Sequence, residues 1–241
     1  MGTVRLTVSD LERSIAYYEQ LGLRHQGGGA LGTGGPALLE LRGLDPAHPA
    51  RPADGYAGLF HFALLLPARA DLGAWLVQNR LPLTGLSDHA VSEAVYLRDP
   101  DGHGIELYAD RPREQWEGRV LELMTTKPLD VRDLTAAAGP YAGLPPGTTM
   151  GHVHLRVADV EDSVRFYREQ LGMEVMAHFG GQAAFLAWDG YHHHIGVNVW
   201  ESRGAPPAPD GYATLIDAEV LGTGRDEVLR DPSGLRLRLT R

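Results

Sequence analysis

The spacing of apolar and polar residues near the start of the chain recurs after residue 150. In each copy, apolar residues alternate over a short strand pattern, an aspartate follows, and apolar residues then recur at helical spacing. Asp10 and Asp159 are placed to accept hydrogen bonds from the free amides of a first helical turn. Gly22 and Gly172 follow the last apolar positions, where glycine takes the left-handed conformation that ends a helix. Each copy is predicted to form a strand and a capped helix; the copies read VRLTVSDLERSIAYYEQLGL and VHLRVADVEDSVRFYREQLGM.

A strand-turn-strand pattern also occurs twice. The segments AVYLRDPDGHGIELYAD and DEVLRDPSGLRLRLT share a turn of the type D-P-x-G between two alternating runs, which predicts a hairpin in each. The strand-like LFHFALLLP and the helix-like DLGAWLVQNRL precede the first hairpin. Before the second, too few residues follow YATLIDAEV to form a helix. The pattern predicts an α+β protein built from four βαβββ units, of which the fourth is shortened.

These units fall into two pairs along the chain. The predicted domains are residues 1–110 and 150–241, and residues 111–149 form a linker that contains PYAGLPPGTT. A connection of this length is rarely left without secondary structure in a globular protein. We therefore expect part of the linker, around Pro128 to Ala138, to be helical and packed.

Composition narrows the classes of partner. The 241 residues carry a formal charge of −9 with no run of basic residues, which argues against nucleic-acid binding. The longest apolar run is too short to span a bilayer, and no charged and apolar leader begins the chain, so we expect a cytoplasmic protein without a membrane partner. The sequence leaves open whether the protein forms a homo-oligomer. Because the chain has no cysteine, any metal site must use histidine and carboxylate ligands.

The paired units resemble the vicinal oxygen chelate superfamily, which includes glyoxalase I, the bleomycin and fosfomycin resistance proteins, and the type I extradiol dioxygenases. The resemblance covers most of the chain. It implies two glyoxalase/bleomycin-resistance-type domains whose curved mixed sheets surround a cavity, with metal ligands on the first and last strands of the units. Proteins with and without a metal share this fold, so the chemistry must be argued from individual residues.

At the positions that this resemblance indicates, only the two middle units offer good metal ligands. The second unit has His61 and Glu106, and the third has His152 and, by alignment of its DG turn, His194. The outer units offer Thr3 and Glu40 in the first, and Tyr212 or Ala213 with Arg238 in the fourth. We therefore expect the middle units to close the active cavity. His61, Glu106 and His152 would form the set of two imidazoles and one carboxylate that suits Fe(II); a purely structural role, as buried strand histidines, is the alternative.

The segment that begins at His89, HAVSEAVYLRDPDGHGIE, resembles the extradiol dioxygenase signature: a histidine, a tyrosine, D-P-x-G and the ligand glutamate. It departs at Ser87, where the signature prefers glycine, asparagine or an apolar residue. The signature and ligands also straddle the middle of the chain, whereas the family places them in its second half. The segments GLFHFALLLP, GIELYADRP and YHHHIG resemble a bacterial group described as catechol-2,3-dioxygenase-like. The resemblance implies that Tyr96 and His89 hydrogen-bond the substrate or oxygen.

The histidine triplet in YHHHIGVN completes the predicted site, because one such histidine acts in extradiol enzymes as an acid–base catalyst. On a strand, His192 and His194 would face one way and His193 the other. Alignment on the DG turn favours His194 beside the metal with His192 near the mouth, whereas alignment on the family's His-His-x-Ile motif favours His193. A histidine-rich strand edge without a role is the alternative. His103 is expected to be solvated in its turn, and His154 to lie behind the ligands.

The function that this resemblance implies is opening of a catechol-type aromatic diol by O₂ with Fe(II), with Mn(II) or another divalent metal as the alternative. Two other functions remain open at this point. A divalent-metal isomerase or transferase of the glyoxalase or fosfomycin-resistance type would use the same three ligands. A non-enzymatic protein would use the cavity only to bind a small planar molecule.

Overall fold

In the computed structural model, which describes residues 1–45, 53–136 and 138–241, sixteen strands form two mixed β-sheets. No helix within these ranges is long and apolar enough to cross a membrane. The first unit comprises β1 (Val4–Val8), α1 (Leu11–Leu21), β2 (Arg24–Gly27), β3 (Ala30–Gly32) and β4 (Leu39–Gly43). The second comprises β5 (Gly58–Leu65), α2 (Arg69–Gln78), β6 (Gly85–Asp88), β7 (Ser92–Arg98) and β8 (Gly104–Asp110).

The second half of the chain repeats this order with a shorter last unit. The third unit comprises β10 (Thr149–Arg156), α5 (Val160–Leu171), β11 (Glu174–Phe179), β12 (Ala183–Ala187) and β13 (Ile195–Asn198). The fourth comprises β14 (Leu215–Val220), β15 (Glu227–Arg230) and β16 (Arg236–Leu239). Its connection from β14 to β15 holds no helix, as its length predicts. The predicted α+β class with repeated βαβββ units is confirmed.

The ends of the repeated helices follow the expected local chemistry. The side chains of Asp10 and Asp159 each accept a hydrogen bond from the backbone amide three residues on, at 3.0 and 2.9 Å. Gly22 and Gly172 have φ angles of 112° and 65°, in the left-handed region that an L-residue enters only with strain. Both helices therefore begin and end as the sequence predicts.

Strand pairing joins units from opposite halves of the chain. One sheet, the outer-unit sheet, has the strand order β15-β16-β14-β1-β4-β3-β2 and combines the first and fourth units. The other, the middle-unit sheet, has the order β11-β12-β13-β10-β5-β8-β7-β6-β9 and combines the second and third. Antiparallel pairing of β5 with β10 connects the two halves at its centre. The expectation that the middle units associate is confirmed.

Buried hydrogen bonds connect the two sheets within each half of the chain. Tyr18 of α1 donates to Asp99 in the turn after β7, at 3.0 Å, and Tyr167 of α5 donates to Asp231 in the equivalent turn, at 2.8 Å. His103 is also buried and donates through Nε2 to the backbone carbonyl of Thr7, at 2.9 Å. The expectation that His103 is solvated is therefore wrong, because its turn packs against β1 of the other sheet.

The linker is packed over much of its length. It contains a 3₁₀ turn (Arg113–Gln115), α3 (Val120–Leu123), β9 (Lys127–Pro128) and α4 (Val131–Ala136). Helix α4 lies within the range predicted to be helical, Pro128 to Ala138. Ala137, in the same range, lies outside the described residues. Leu134 of α4 is fully buried. Helix α4 packs closely against α2, because a methyl group added at Gly73 of α2 would lie 2.5 Å from the carbonyl oxygen of Leu134. The domain boundaries at 110 and 150 stay a prediction.

Candidate metal centre

Three adjacent strands of the middle-unit sheet bring His61, Glu106 and His152 together. His61 lies on β5, which pairs in parallel with β8 and antiparallel with β10, so Glu106 and His152 flank it on the two neighbouring strands. One potential ligand atom of each side chain lies within 4.8 Å of the other two. Neither sequence half contains all three residues. The pairing of β5 with β10 therefore assembles the group that the sequence predicted as ligands.

The geometry of this group fits a cation. The Nε2 atoms of His61 and His152 lie 3.0 and 3.2 Å from the same carboxylate oxygen of Glu106, and all three side chains are buried. Although it is close to that oxygen, Nε2 of His61 has no aligned hydrogen-bond partner among the described residues. An unsatisfied buried polar atom costs about 1–3 kcal/mol. A divalent ion that accepts the nitrogen lone pairs and the carboxylate charge would remove this cost.

The protonation states also suit a metal ligand set. Burial would raise the pKa of the Glu106 carboxyl, but the two facing imidazoles hold it well below its usual value. Burial lowers the pKa of His152 to about 4, against the opposing effect of Glu106. At neutral pH the carboxylate is therefore charged and the imidazole neutral. Metal binding requires these two forms, because protons compete with the ion for the same lone pairs.

His89 and Tyr96 form a hydrogen-bonded pair at the wall of the cavity. The hydroxyl of Tyr96 and Nε2 of His89 are 2.7 Å apart, and Nδ1 of His89 lies 2.7 Å from the backbone carbonyl of Thr125. A carbonyl only accepts, so Nδ1 of His89 carries a proton and donates to Thr125. Burial and the charge of Glu106 raise the pKa of Tyr96 well above its usual value, which keeps the hydroxyl protonated. The predicted pair therefore exists, with a tautomer set by the linker.

Of the triplet, His193 faces the predicted metal ligands. Its ring centroid lies 4.0 Å from that of His152 and 4.9 Å from that of Phe185, and the side chain lines the cavity. His192 is fully buried, with its Nδ1 only 2.8 Å from Nδ1 of His193. His194 instead packs beside Trp188 and lines a different cleft.

The orientation favoured by alignment on the DG turn, with His194 facing the metal and His192 near the mouth, is therefore wrong. Strand β13 begins at Ile195, after the triplet, so alternation does not govern these side chains. The backbone of His194 bridges two neighbouring segments: its amide donates to Leu186 and its carbonyl accepts from Val153. The alternative alignment, on the family's His-His-x-Ile motif, favoured His193. In the structure, His193 is the histidine of the triplet that lines the cavity.

A cavity of about 620 Å³ opens in front of these groups. Its wall includes His61 and Glu106 together with the aromatic rings of Phe60, Phe185 and Trp200. The ring of His154 also lines it, 5.1 Å from the ring of His61. Such a mixture of apolar wall and few polar groups is typical of small-molecule sites.

Sequence reasoning did not assign the linker a place in this cavity. Met124, Thr125 and Thr126 line the wall, and Thr125 fixes the tautomer of His89 through a backbone carbonyl. A carbonyl group is present at every residue, so no residue type could have indicated it. Trp200, half exposed at the wall, was also missed; an exposed tryptophan is the one available signal.

Gly151, directly before His152, has a packing constraint that yields a prediction. A methyl group at this position would lie 1.9 Å from the hydroxyl oxygen of Tyr108. We expect Gly151→Ala to lower the free energy of unfolding by about 1–3 kcal/mol through this overpacking and to weaken metal binding by displacing the neighbouring His152. Gly139→Ala is the matched control, because among the described residues no atom beyond the two chain neighbours lies within 4 Å of the added methyl group. Thermal unfolding and Fe(II) titration measure both effects; wild-type values for Gly151→Ala would contradict the close contact.

The comparisons with known proteins agree with this fold. The family model described as Glyoxalase/Bleomycin resistance protein/Dioxygenase superfamily matches residues 1–107 and 149–218. The chain belongs to this superfamily. It is 40% identical over 230 residues to the catechol-2,3-dioxygenase of Bacillus subtilis (strain 168), which covers 89% of this chain and 80% of that relative. The prediction of a catechol-2,3-dioxygenase-like enzyme is confirmed at this level.

Solved structures support the fold. A putative dioxygenase from Bacillus subtilis subsp. subtilis str. 168 has a TM-score of 0.59 at 15% identity, with 99% of this chain and 84% of that chain covered. Glyoxalase I from Zea mays has a TM-score of 0.55 at 19% identity, with 99% and 91% covered. At these identities the likeness concerns the arrangement of the units, and the chemistry must be argued from the site.

Proposed function

We propose that the chain is an extradiol dioxygenase that opens a catechol-type aromatic diol with O₂ and Fe(II). The carbon–carbon bond beside one hydroxyl breaks, and both oxygen atoms enter the product. The observation that carries the proposal is the buried group of His61, Glu106 and His152 beside the aromatic cavity. The similarity to a catechol-2,3-dioxygenase over most of both chains supports it.

His61, Glu106 and His152 would hold the metal. Two imidazoles and one carboxylate are the ligand set of non-haem Fe(II) oxygenases, in which the remaining positions stay open. When bound, Fe(II) supplies a Lewis acid and an electron donor, through which O₂ reacts with an aromatic diol. Within the described residues, the side chains grouped closely enough for a shared ion are these three.

His193 would act as the acid–base group. It lines the cavity beside His152, and burial and the neighbouring imidazoles hold its pKa well below the usual value, so its ring is neutral before reaction. A neutral imidazole can accept the proton of one substrate hydroxyl and return it as the product forms. His193 could therefore accept the substrate proton without first losing one of its own.

Tyr96 and His89 would position the diol. The Tyr96 hydroxyl, 2.7 Å from Nε2 of His89, would hydrogen-bond a substrate hydroxyl. Phe60, Phe185 and Trp200 provide aromatic surface against which a planar ring would stack. These contacts would orient the ring and exclude water from it.

The decisive experiment is anaerobic reconstitution of the purified protein with Fe(II), followed by a panel of catechols in the presence of O₂. We expect O₂ uptake equal to the diol consumed and a yellow ring-opened product. Metal binding without O₂ uptake, combined with turnover of a glyoxalase- or fosfomycin-type substrate, would favour the isomerase or transferase alternative. Diol binding without metal or turnover would favour the non-enzymatic alternative.

A further inference from the structure

A chain of hydrogen bonds leads away from His193 through the buried His192 to the partly buried Asp110. Nδ1 of His193 lies 2.8 Å from Nδ1 of His192, and Nε2 of His192 lies 2.9 Å from a carboxylate oxygen of Asp110. Asp110 is the last residue of β8, four positions after Glu106, and is paired with His192 across 82 residues of sequence. None of the roles proposed above uses Asp110 or His192.

The other side of Asp110 is occupied by two tyrosines. The hydroxyl of Tyr191 lies 3.2 and 3.0 Å from the two carboxylate oxygens, and the hydroxyl of Tyr108 lies 2.9 Å from that of Tyr191. Burial raises the pKa of both tyrosines, so both keep their protons. Tyr191 therefore donates to Asp110, and Tyr108 donates to Tyr191. The indole ring of Trp116 covers His192, with ring centroids 5.5 Å apart.

With His192 as a neutral imidazole, these contacts have one set of bond directions. The carboxylate oxygen of Asp110 is the acceptor, so Nε2 of His192 carries the proton between them. A neutral imidazole with its proton on Nε2 has a lone pair on Nδ1, to which Nδ1 of His193 must donate. The remaining nitrogen of His193, Nε2, then holds the lone pair.

We propose that Asp110 is a positioning residue that acts through His192 to hold His193 in the tautomer with a proton on Nδ1 and a free lone pair on Nε2. The inference rests on the proposed function, because it assigns to that lone pair the acceptance of the substrate proton. The reverse tautomer would present an N–H donor to the diol, and the base would be lost until the ring rearranged.

The tautomers can be read directly by NMR on full-length protein with ¹⁵N-labelled histidine, loaded with diamagnetic Zn(II). Spectra of His192→Gln and His193→Gln assign the two rings. We expect His193 protonated on Nδ1 alone and His192 on Nε2 alone. A proton on Nε2 of His193, or protons on both nitrogens of His192, would overturn the inference whether or not the enzyme turns over.

Asp110→Asn tests the same point by kinetics. The side-chain amide can donate as well as accept, so it no longer forces Nε2 of His192 to be the donor. We expect kcat to fall by about 10²-fold or more while KM for catechol and bound Fe(II) stay unchanged, because the lost contribution belongs to proton transfer. The NMR spectrum of the variant should show a population of His193 with its proton on Nε2, because both tautomers become accessible. Wild-type kcat, or unchanged tautomers, would overturn the inference.

Asp217→Asn is the matched control, because Asp217 is a buried carboxylate that bonds Arg5 and Arg238 in the outer-unit sheet. It should keep both kcat and the tautomers. An equal loss of kcat in this control would mean that removing any buried carboxylate disturbs the site, and would also overturn the inference. If the wild type fails to cleave every catechol, the proposed function fails, and the tautomer measurement still decides whether Asp110 sets the state of His193.

Discussion

Replacing His61, Glu106 or His152 by alanine should each remove bound Fe(II) and abolish ring cleavage. The three ligand atoms lie within 4.8 Å of one another, so each variant leaves only two groups to hold the ion. Changes to residues that merely support a ligand cost about 10–100-fold in metal affinity, and loss of a ligand should exceed that range. Isothermal titration and metal analysis after dialysis measure the effect.

His178→Ala is a suitable control, because this half-exposed strand histidine bonds Glu161 on the surface and should bind Fe(II) as the wild type does. Thermal unfolding in the presence of EDTA shows whether each variant still folds. Stoichiometric Fe(II) in the folded Glu106→Ala variant would exclude the proposed ligand set.

The second prediction with a large expected effect concerns the histidine triplet at residues 192–194. His193→Gln should keep Fe(II) but lower kcat by about 10²–10⁴-fold, the usual contribution of general acid–base assistance. His194→Gln should stay close to the wild type, because His194 packs beside Trp188 and does not line the cavity. Steady-state kinetics with parallel metal analysis distinguish the two variants. The opposite result, with loss only in His194→Gln, would return the role to the residue that alignment on the DG turn favoured.

Much of the local structure could be predicted because it depends on neighbouring residues. A cap such as Asp10 acts on an amide three residues away, and Gly22 ends its helix through its own φ angle. The candidate ligands could be predicted for a related reason. Two imidazoles and a carboxylate are chemically distinctive, and the repeat aligned His61 with His152 at the starts of equivalent strands.

The errors arose where a local pattern was extended beyond its element. Alignment on the DG turn favoured His194, but β13 begins only at Ile195 and the cavity is lined by His193. His103 was read as a solvated turn residue, yet its turn packs against β1 and its ring bonds Thr7. In both cases the deciding contact comes from a strand distant in sequence.

The sequence by itself determined the four units, the capped helices and the kinds of ligand, because these follow from residue chemistry and from spacing within one element. Only the tertiary structure decided which histidine of the triplet enters the cavity and which side chains contact it. The Thr125 carbonyl reaches His89 across 36 residues, and the Asp110 carboxylate reaches His192 across 82. Such bonds depend on where the packed backbone places an acceptor, and that position is set by the pairing of strands from opposite halves of the chain.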